Sequence, residues 1–187
     1  MFERLIKKIT RYLDKNKIPY MIIGGQAVLL YGSPRLTRDI DITLGIDTEE
    51  FSKIEKICKK ANLKILPKNP EAFANETKVL PAEDEKSGIR VDFIFSFSNY
   101  ERQAIQRARK VSLAGYSVRF ASCEDVIIHK VLAARSVDEE DVRNILIKNK
   151  DSINLKYIKS WLSEFSNISE QKQALKRFKR LWNLTKS

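Results

Sequence analysis

The stretch YMIIGGQAVLLYGSPRLTRDIDITL, residues 20–44, decides the fold. Tyr20-Met-Ile-Ile is a short apolar run ending at Gly24-Gly25, which reads as a buried strand entering a tight turn. A short helix over 26–31 follows, and Gly32-Ser33-Pro34 breaks it. Asp39-Ile-Asp-Ile-Thr-Leu44 then alternates polar and apolar positions with a period of two, the pattern of a strand with one buried face. That period puts Asp39 and Asp41 on one face and turns Ile40 and Ile42 toward the core.

Toward the N-terminus, Phe2, Leu5, Ile6, Ile9, Tyr12 and Leu13 recur mostly three and four apart and predict an amphipathic helix over 2–15. Toward the C-terminus, a Thr48 cap opens a helix over 48–61. Pro67, Pro70, Pro81 and Gly88 punctuate the next segment, which predicts one short strand at 63–66 and otherwise mobile connections up to 88. Order returns over 88–97, a largely apolar strand interrupted by Asp92. Two short strands, 109–113 and 116–121, join near Gly115. Ser122-Cys-Glu-Asp125 then caps the first of four helices, at 123–134, 138–149, 154–165 and 169–183. The expected fold is α/β (α+β), a mixed sheet flanked by helices with a helical C-terminal portion. The expected division is a catalytic core over 1–121 and a helical region over 122–187, packed on the core.

Composition narrows the function classes. With 43% hydrophobic and 32% charged residues, six Gly and five Pro, the chain is neither disordered nor a low-complexity scaffold. Its apolar runs fall short of the roughly 18 residues that span a bilayer. The first fifteen residues lack the continuous apolar core of a secretory signal, so a cytoplasmic protein with no membrane partner is expected. Cys58 and Cys123 read as reduced packing residues, and the lone His129, read as a helix-surface residue, has too few partners for a zinc site. The net charge of +11 should attract polyanions, so nucleotides or nucleic acid are plausible partners. Residues 151–187 are basic, and their last helix reads either as a packed helix with a solvated face or as an RNA-binding surface.

The chemistry lies in three acids and a turn. If the strand carrying Asp92 pairs beside 39–44, three carboxylates share one cleft and call for positive charge. A hard divalent cation, Mg²⁺ or Mn²⁺, fits oxygen ligands and takes its remaining ligands from water and phosphate. Two such ions about 3.5–4 Å apart could clamp an in-line phosphoryl displacement. Gly24-Gly25 lets backbone N–H groups approach a triphosphate without interference from Cβ. Taken singly, an Asp-x-Asp pair is more often a solvated edge and Gly-Gly more often a bend. Asp92 shifts the balance, because an ionised carboxylate inside an apolar strand is costly without a partner.

Ile23-Gly-Gly25, Asp39-Ile-Asp-Ile42 and Val91-Asp-Phe-Ile94 together resemble the signature of the DNA-polymerase-beta-like nucleotidyltransferase superfamily. The finer pattern, GGQAVLLYGSPRLTRDIDI followed by SCEDVIIHKVLAARSVDEEDVRNIL, is similar to small prokaryotic abortive-infection and toxin–antitoxin nucleotidyltransferases. The resemblance implies a nucleotidyltransferase-type mixed sheet and transfer of a nucleoside monophosphate from a nucleoside triphosphate to a hydroxyl of RNA, protein or a small molecule, with pyrophosphate leaving. It implies that Asp39 and Asp41 bind metals shared with the triphosphate, and that Asp92 holds the catalytic metal. A toxin–antitoxin partner belongs to the same expectation. Gly25 stands where many members carry a phosphate-contacting serine, so backbone amides or other side chains are expected to replace that hydroxyl, with Ser33 and Thr37 as candidates. Arg35 is expected to neutralise the triphosphate, and Lys130, which interrupts an apolar helix, is a further candidate. Arg135 and Asp141 are expected to join neighbouring helices through an ion pair. The alternative is a catalytically inactive module of the same fold, a toxin–antitoxin component or an RNA-binding subunit.

Overall fold

The computed structural model describes residues 1–34, 36–96 and 98–186. Helix α1 (Phe2–Lys15) buries Leu5, Ile6, Ile9 and Leu13, the face its three-and-four spacing predicts. Strand β1 (Tyr20–Ile23) is buried along its whole length, and helix α2 (Gly24–Tyr31) follows without a break. Strand β2 (Asp39–Leu44) buries Ile40 and Ile42 completely and leaves Asp39 and Asp41 half-exposed. Helix α3 (Phe51–Lys60), strand β3 (Leu63–Ile65), helix α4 (Pro70–Thr77), strands β4 (Val79–Asp84) and β5 (Arg90–Phe95), helix α5 (Asn99–Arg107), and strands β6 (Arg109–Leu113) and β7 (Tyr116–Phe120) come next. The strands form one mixed sheet in the order β3-β4-β5-β2-β1-β7-β6.

Two of these elements correct the sequence expectation. Residues 62–88, expected to be mostly connections, hold α4 and β4. Pro70 occupies the first turn of α4, where its missing N–H costs nothing and its φ is already helical. Pro81 sits inside β4, where its carbonyl still accepts from the Leu66 N–H at 3.1 Å. A proline in a strand flanked on both sides is rare enough to count against a strand from sequence alone.

Residues 122–186 are helical: α6 (Cys123–Ala133), α7 (Ser136–Asn149), α8 (Leu155–Phe165) and α9 (Ala174–Asn183). Ser122 caps α6 by accepting from the Asp125 N–H, as its sequence suggests. Where one helix was expected over 169–183, a 3-10 turn at Ser169–Gln171 precedes the shorter α9. The chain divides into two units, Met1–Gln26 with Leu36–Ala121, and Ala27–Arg35 with Ser122–Ser187, so the change of unit falls within α2. In the second unit α6 packs against α7, α8 and α9. Cys58 is buried, which pushes its thiol up to about 12 and suits a packing role. No helix of the described residues is long and apolar enough to cross a membrane.

Candidate active site

The site is built on the pairing of β2 with β5. They run parallel with Asp41 directly beside Asp92 and Asp39 beside Arg90. Residues opposite one another, and residues two apart on a strand, share a face. Asp39, Asp41, Arg90 and Asp92 therefore stand together on one face, while Ile40, Ile42, Val91 and Phe93 are fully buried on the other.

Strand β1 lies on the other side of β2, with Ile23 opposite Asp41. The next residue, Gly24, has φ +63°, and a Cβ there would stand 1.8 Å from the Asp41 Oδ2. Only glycine meets both conditions, a left-handed backbone and a carboxylate against its Cα. The start of α2 is thereby held against Asp41, an arrangement in which backbone N–H groups favour negative charge. Gly25 is buried one residue further along α2.

Arg90 supplies the cation on this face. Its Nε donates to the Asp92 carboxylate oxygens at 2.9 and 3.2 Å. That hydrogen bond, outweighing partial burial and joined by the charges of Asp92, Asp39 and Asp41, holds the guanidinium above its ordinary value. One guanidinium thus feels three carboxylates. Its own side chain is 54% exposed against 16% for Asp92, so a ligand arriving from solvent can take its place. Thr37 is nearly buried and its hydroxyl donates to the Asp39 Oδ1 at 3.2 Å, fixing that carboxylate from behind. Among the described residues, no group of three His, Cys, Asp or Glu side chains stands in a metal-holding geometry.

On the same face Pro81 of β4 pairs with Asp92. Beside it opens a cavity of about 520 Å³ walled by Leu66, Asn69, Phe73, Pro81 and Arg90. Asn69, Ala72, Phe73 and Glu76 all line it, and their three-and-four spacing makes this one side of α4.

The remaining candidates lie elsewhere. Ser33 is half-buried in the short segment that belongs to the second unit. Arg35 lies outside the described residues. Lys130 is buried in α6, where its ammonium meets Asp138 at 2.7 Å and Asp141 at 3.1 Å. Arg135 pairs with Asp138 at 2.6 Å, which links it to the same cluster as Asp141 through Lys130. Burial alone would raise the Asp138 carboxyl, but hydrogen bonds from Arg135 and Lys130 outweigh it and hold the group below its ordinary value. Arg90 and the α4 wall were missed in the sequence. The Arg90-Val-Asp92 spacing carried the signal for the first, since residues two apart on a strand share a face.

A family described as "Nucleotidyltransferase of unknown function (DUF6036)" matches residues 1–187. The fold is similar to ANT(2")-Ia in complex with adenylyl-2"-tobramycin, with TM-score 0.58, 19% identity, and 94% of this chain and 98% of that one covered. It is similar to an antigenic nucleotidyltransferase-like protein from Paracoccidioides brasiliensis, at TM-score 0.56 and 17% identity over 94% and 92% of the two chains. Lincomycin-bound LnuA, a lincosamide antibiotic adenylyltransferase, gives TM-score 0.54 and 18% identity over 76% and 94%. No curated protein sequence matches the chain. With the match running its full length and the acidic pair in register on the sheet, the chain belongs to the DUF6036 family of nucleotidyltransferases.

Proposed function

We propose that the chain moves the nucleoside monophosphate part of a nucleoside triphosphate onto a hydroxyl acceptor, using the β2–β5 face. The observation that carries this reading is the register that sets Asp41 beside Asp92 with Asp39 on the same face. The acceptor oxygen bonds to the α-phosphorus as the α–β bridging bond breaks, pyrophosphate leaves, and the hydroxyl proton passes to the Asp92 carboxylate.

Three carboxylates on one face form the oxygen donor set that Mg²⁺ or Mn²⁺ prefers, and the Gly24 cradle leaves room beside Asp41 that any Cβ would fill. We assign Asp39, Asp41 and Asp92 as the residues that would hold one or two such ions, which would supply charge neutralisation at the triphosphate. Arg90 holds the Asp92 carboxylate in position. Gly24 and Gly25 present backbone N–H groups to the triphosphate, and Thr37 fixes Asp39. Ser33 and Arg35 remain assigned to the phosphates on sequence grounds. Lys130 we assign to its buried cluster, because reaching a phosphate would take its ammonium away from two buried carboxylates, Asp138 and Asp141. The α4 cavity beside Asp92 is where the acceptor sits, and its volume falls in the range of small-ligand pockets. A hydroxyl-bearing antibiotic-sized molecule matches the acceptors named for ANT(2")-Ia and LnuA.

The test is incubation with each α-labelled nucleoside triphosphate, Mg²⁺ or Mn²⁺, and pools of RNA, protein and small hydroxyl compounds. Wild-type protein should transfer label and Asp41→Asn should lose roughly 100- to 1000-fold, several kcal/mol of transition-state stabilisation. Equal transfer by a folded Asp41→Asn protein would overturn the assignment.

A further inference from the structure

We propose that α1 carries a binding groove for single-stranded nucleic acid, formed by residues none of which belongs to the acidic face. The α1 sequence buries one side and charges the other. Leu5, Ile6, Ile9 and Leu13 are buried, while Arg4, Lys8, Arg11 and Lys15 follow one another at spacings of four, three and four, with Lys7 alongside. That spacing places the cations on a single stripe. They line a cavity of about 770 Å³, so the stripe is the wall of a groove rather than a flat face.

The one acid in the groove is already engaged. The Asp14 carboxylate accepts from the Tyr116 hydroxyl at 2.7 Å and from Arg119 Nη1 at 2.5 Å. Two cations are tethered, Lys7 to the Ala114 carbonyl at 2.7 Å and Lys8 to Asp84 at 3.2 Å. Arg4, Arg11 and Lys15 are exposed and make no ion pair among the described residues. The cationic excess is therefore available to a ligand.

Two features specify the ligand as a single strand. Tyr12 and Tyr116 line the same cavity, both half-buried, so aromatic surfaces alternate with cations. The hydrogen bond to Asp14 fixes the Tyr116 ring in place at the edge of the groove. Aromatic faces beside a positive groove are what unpaired bases and their backbone require, and a duplex cannot offer its bases for stacking. The stripe from Arg4 to Lys15 runs about 16 Å along the helix axis. At about 3.4 Å per nucleotide that is room for four or five. An anionic membrane is disfavoured because Leu5, Ile6, Ile9 and Leu13 of α1 are buried and cannot insert. Long-range attraction comes from the net charge of +11.

The test is fluorescence anisotropy without nucleoside triphosphate, using labelled 12-mer oligo-U and oligo-dT, a duplex of equal length, and phosphatidylserine vesicles. The variants are Arg4→Ala/Arg11→Ala/Lys15→Ala, Tyr12→Leu and Asp41→Asn, each checked for folding by circular dichroism. Wild-type and Asp41→Asn proteins should bind one or both single strands more tightly than the duplex. The triple variant should lose at least tenfold and lower the salt slope by about 2, from three lost phosphate contacts on a single strand. Tyr12→Leu should lose about 5- to 100-fold, the cost of one stacked base. Single-strand affinity unchanged in the triple variant, a duplex bound as tightly as a single strand, or vesicles bound more tightly than either would overturn the proposal. Because no transfer is measured, failure here leaves the transferase reading intact, and the converse holds.

Discussion

The two carboxylate clusters of this chain solve the same electrostatic problem in opposite ways. On α6 and α7, Asp138 and Asp141 are almost wholly removed from solvent, and Lys130, 5% exposed, closes them with hydrogen-bonded contacts at 2.7 and 3.1 Å. On the β2–β5 face, Asp39, Asp41 and Asp92 remain partly open to solvent, and the cation beside them, Arg90, is more than half exposed. A buried cluster must be complete in the folded chain, because nothing else can reach it. An open cluster with an exchangeable cation can wait for its ligand. Acids of one residue type are thus buried in one unit and open to solvent in the other, and exposure of the carboxylates themselves, 0% and 5% for Asp138 and Asp141 against 16% for Asp92, separates the clusters.

The contrast can be broken most sharply at Lys130. Lys130→Met leaves two buried carboxylates without their ammonium and should cost about 3–5 kcal/mol. The melting temperature should fall by roughly 6–20 °C. A loss of only a degree or two in thermal melts would mean the cluster is not the structural one. Next comes Gly24→Ala, which forces a Cβ toward the Asp41 carboxylate in a left-handed backbone. About 1–3 kcal/mol of stability should be lost. Turnover should drop more than stability, since Asp41 itself must shift; an alanine variant with unchanged turnover would remove the cradle from the site.

The acid limb gives a smaller effect. Asp138 is held below its ordinary value of 3.8 in the folded chain, so its contribution is complete above that value and lost as pH falls through the lower folded one. Urea unfolding between pH 6 and 2 should show a shallower loss in Asp138→Asn, with a remainder from Asp84. Burial works against Asp84 too, but Ser87 and Lys8 hold it low. The smallest effect is predicted for Arg90→Gln, which removes an exposed pair worth no more than about 1 kcal/mol. Its melting temperature should stay within about 4 °C of wild type. A drop as large as that of Lys130→Met would erase the distinction between the clusters.

Much of this was readable from local patterns. The period of two in Asp39-Ile-Asp-Ile and the apolar setting of Asp92 located the acidic face, because strand geometry ties sequence parity to side-chain direction. The pairing of β2 with β5 is long-range, and the sequence could only make it a condition. What was lost was lost to proline: Pro70 and Pro81 read as breakers, yet one opens a helix and the other sits in a strand whose carbonyl still bonds. Arg90 was overlooked because attention fell on the acid two residues later. On α1 the apolar period was read and its cationic complement was not, although both come from one helical spacing. Lys130 was noticed as a charge inside an apolar helix, but whether it serves a ligand or a neighbour depends on Asp138 and Asp141, eight and eleven residues on.

The parallel register of β2 and β5 makes the chemistry hostage to the core. Sliding β2 by a single residue would turn Ile40 and Ile42 outward and Asp39 and Asp41 inward, and sliding β5 would do the same to Val91, Phe93 and Asp92. A folded but misaligned protein would have to accept both penalties together. Errors in assembling the sheet are therefore expelled as unfolded chain instead of accumulating as a well-formed but inert population, and the apolar half of each strand acts as proofreader for the acidic half.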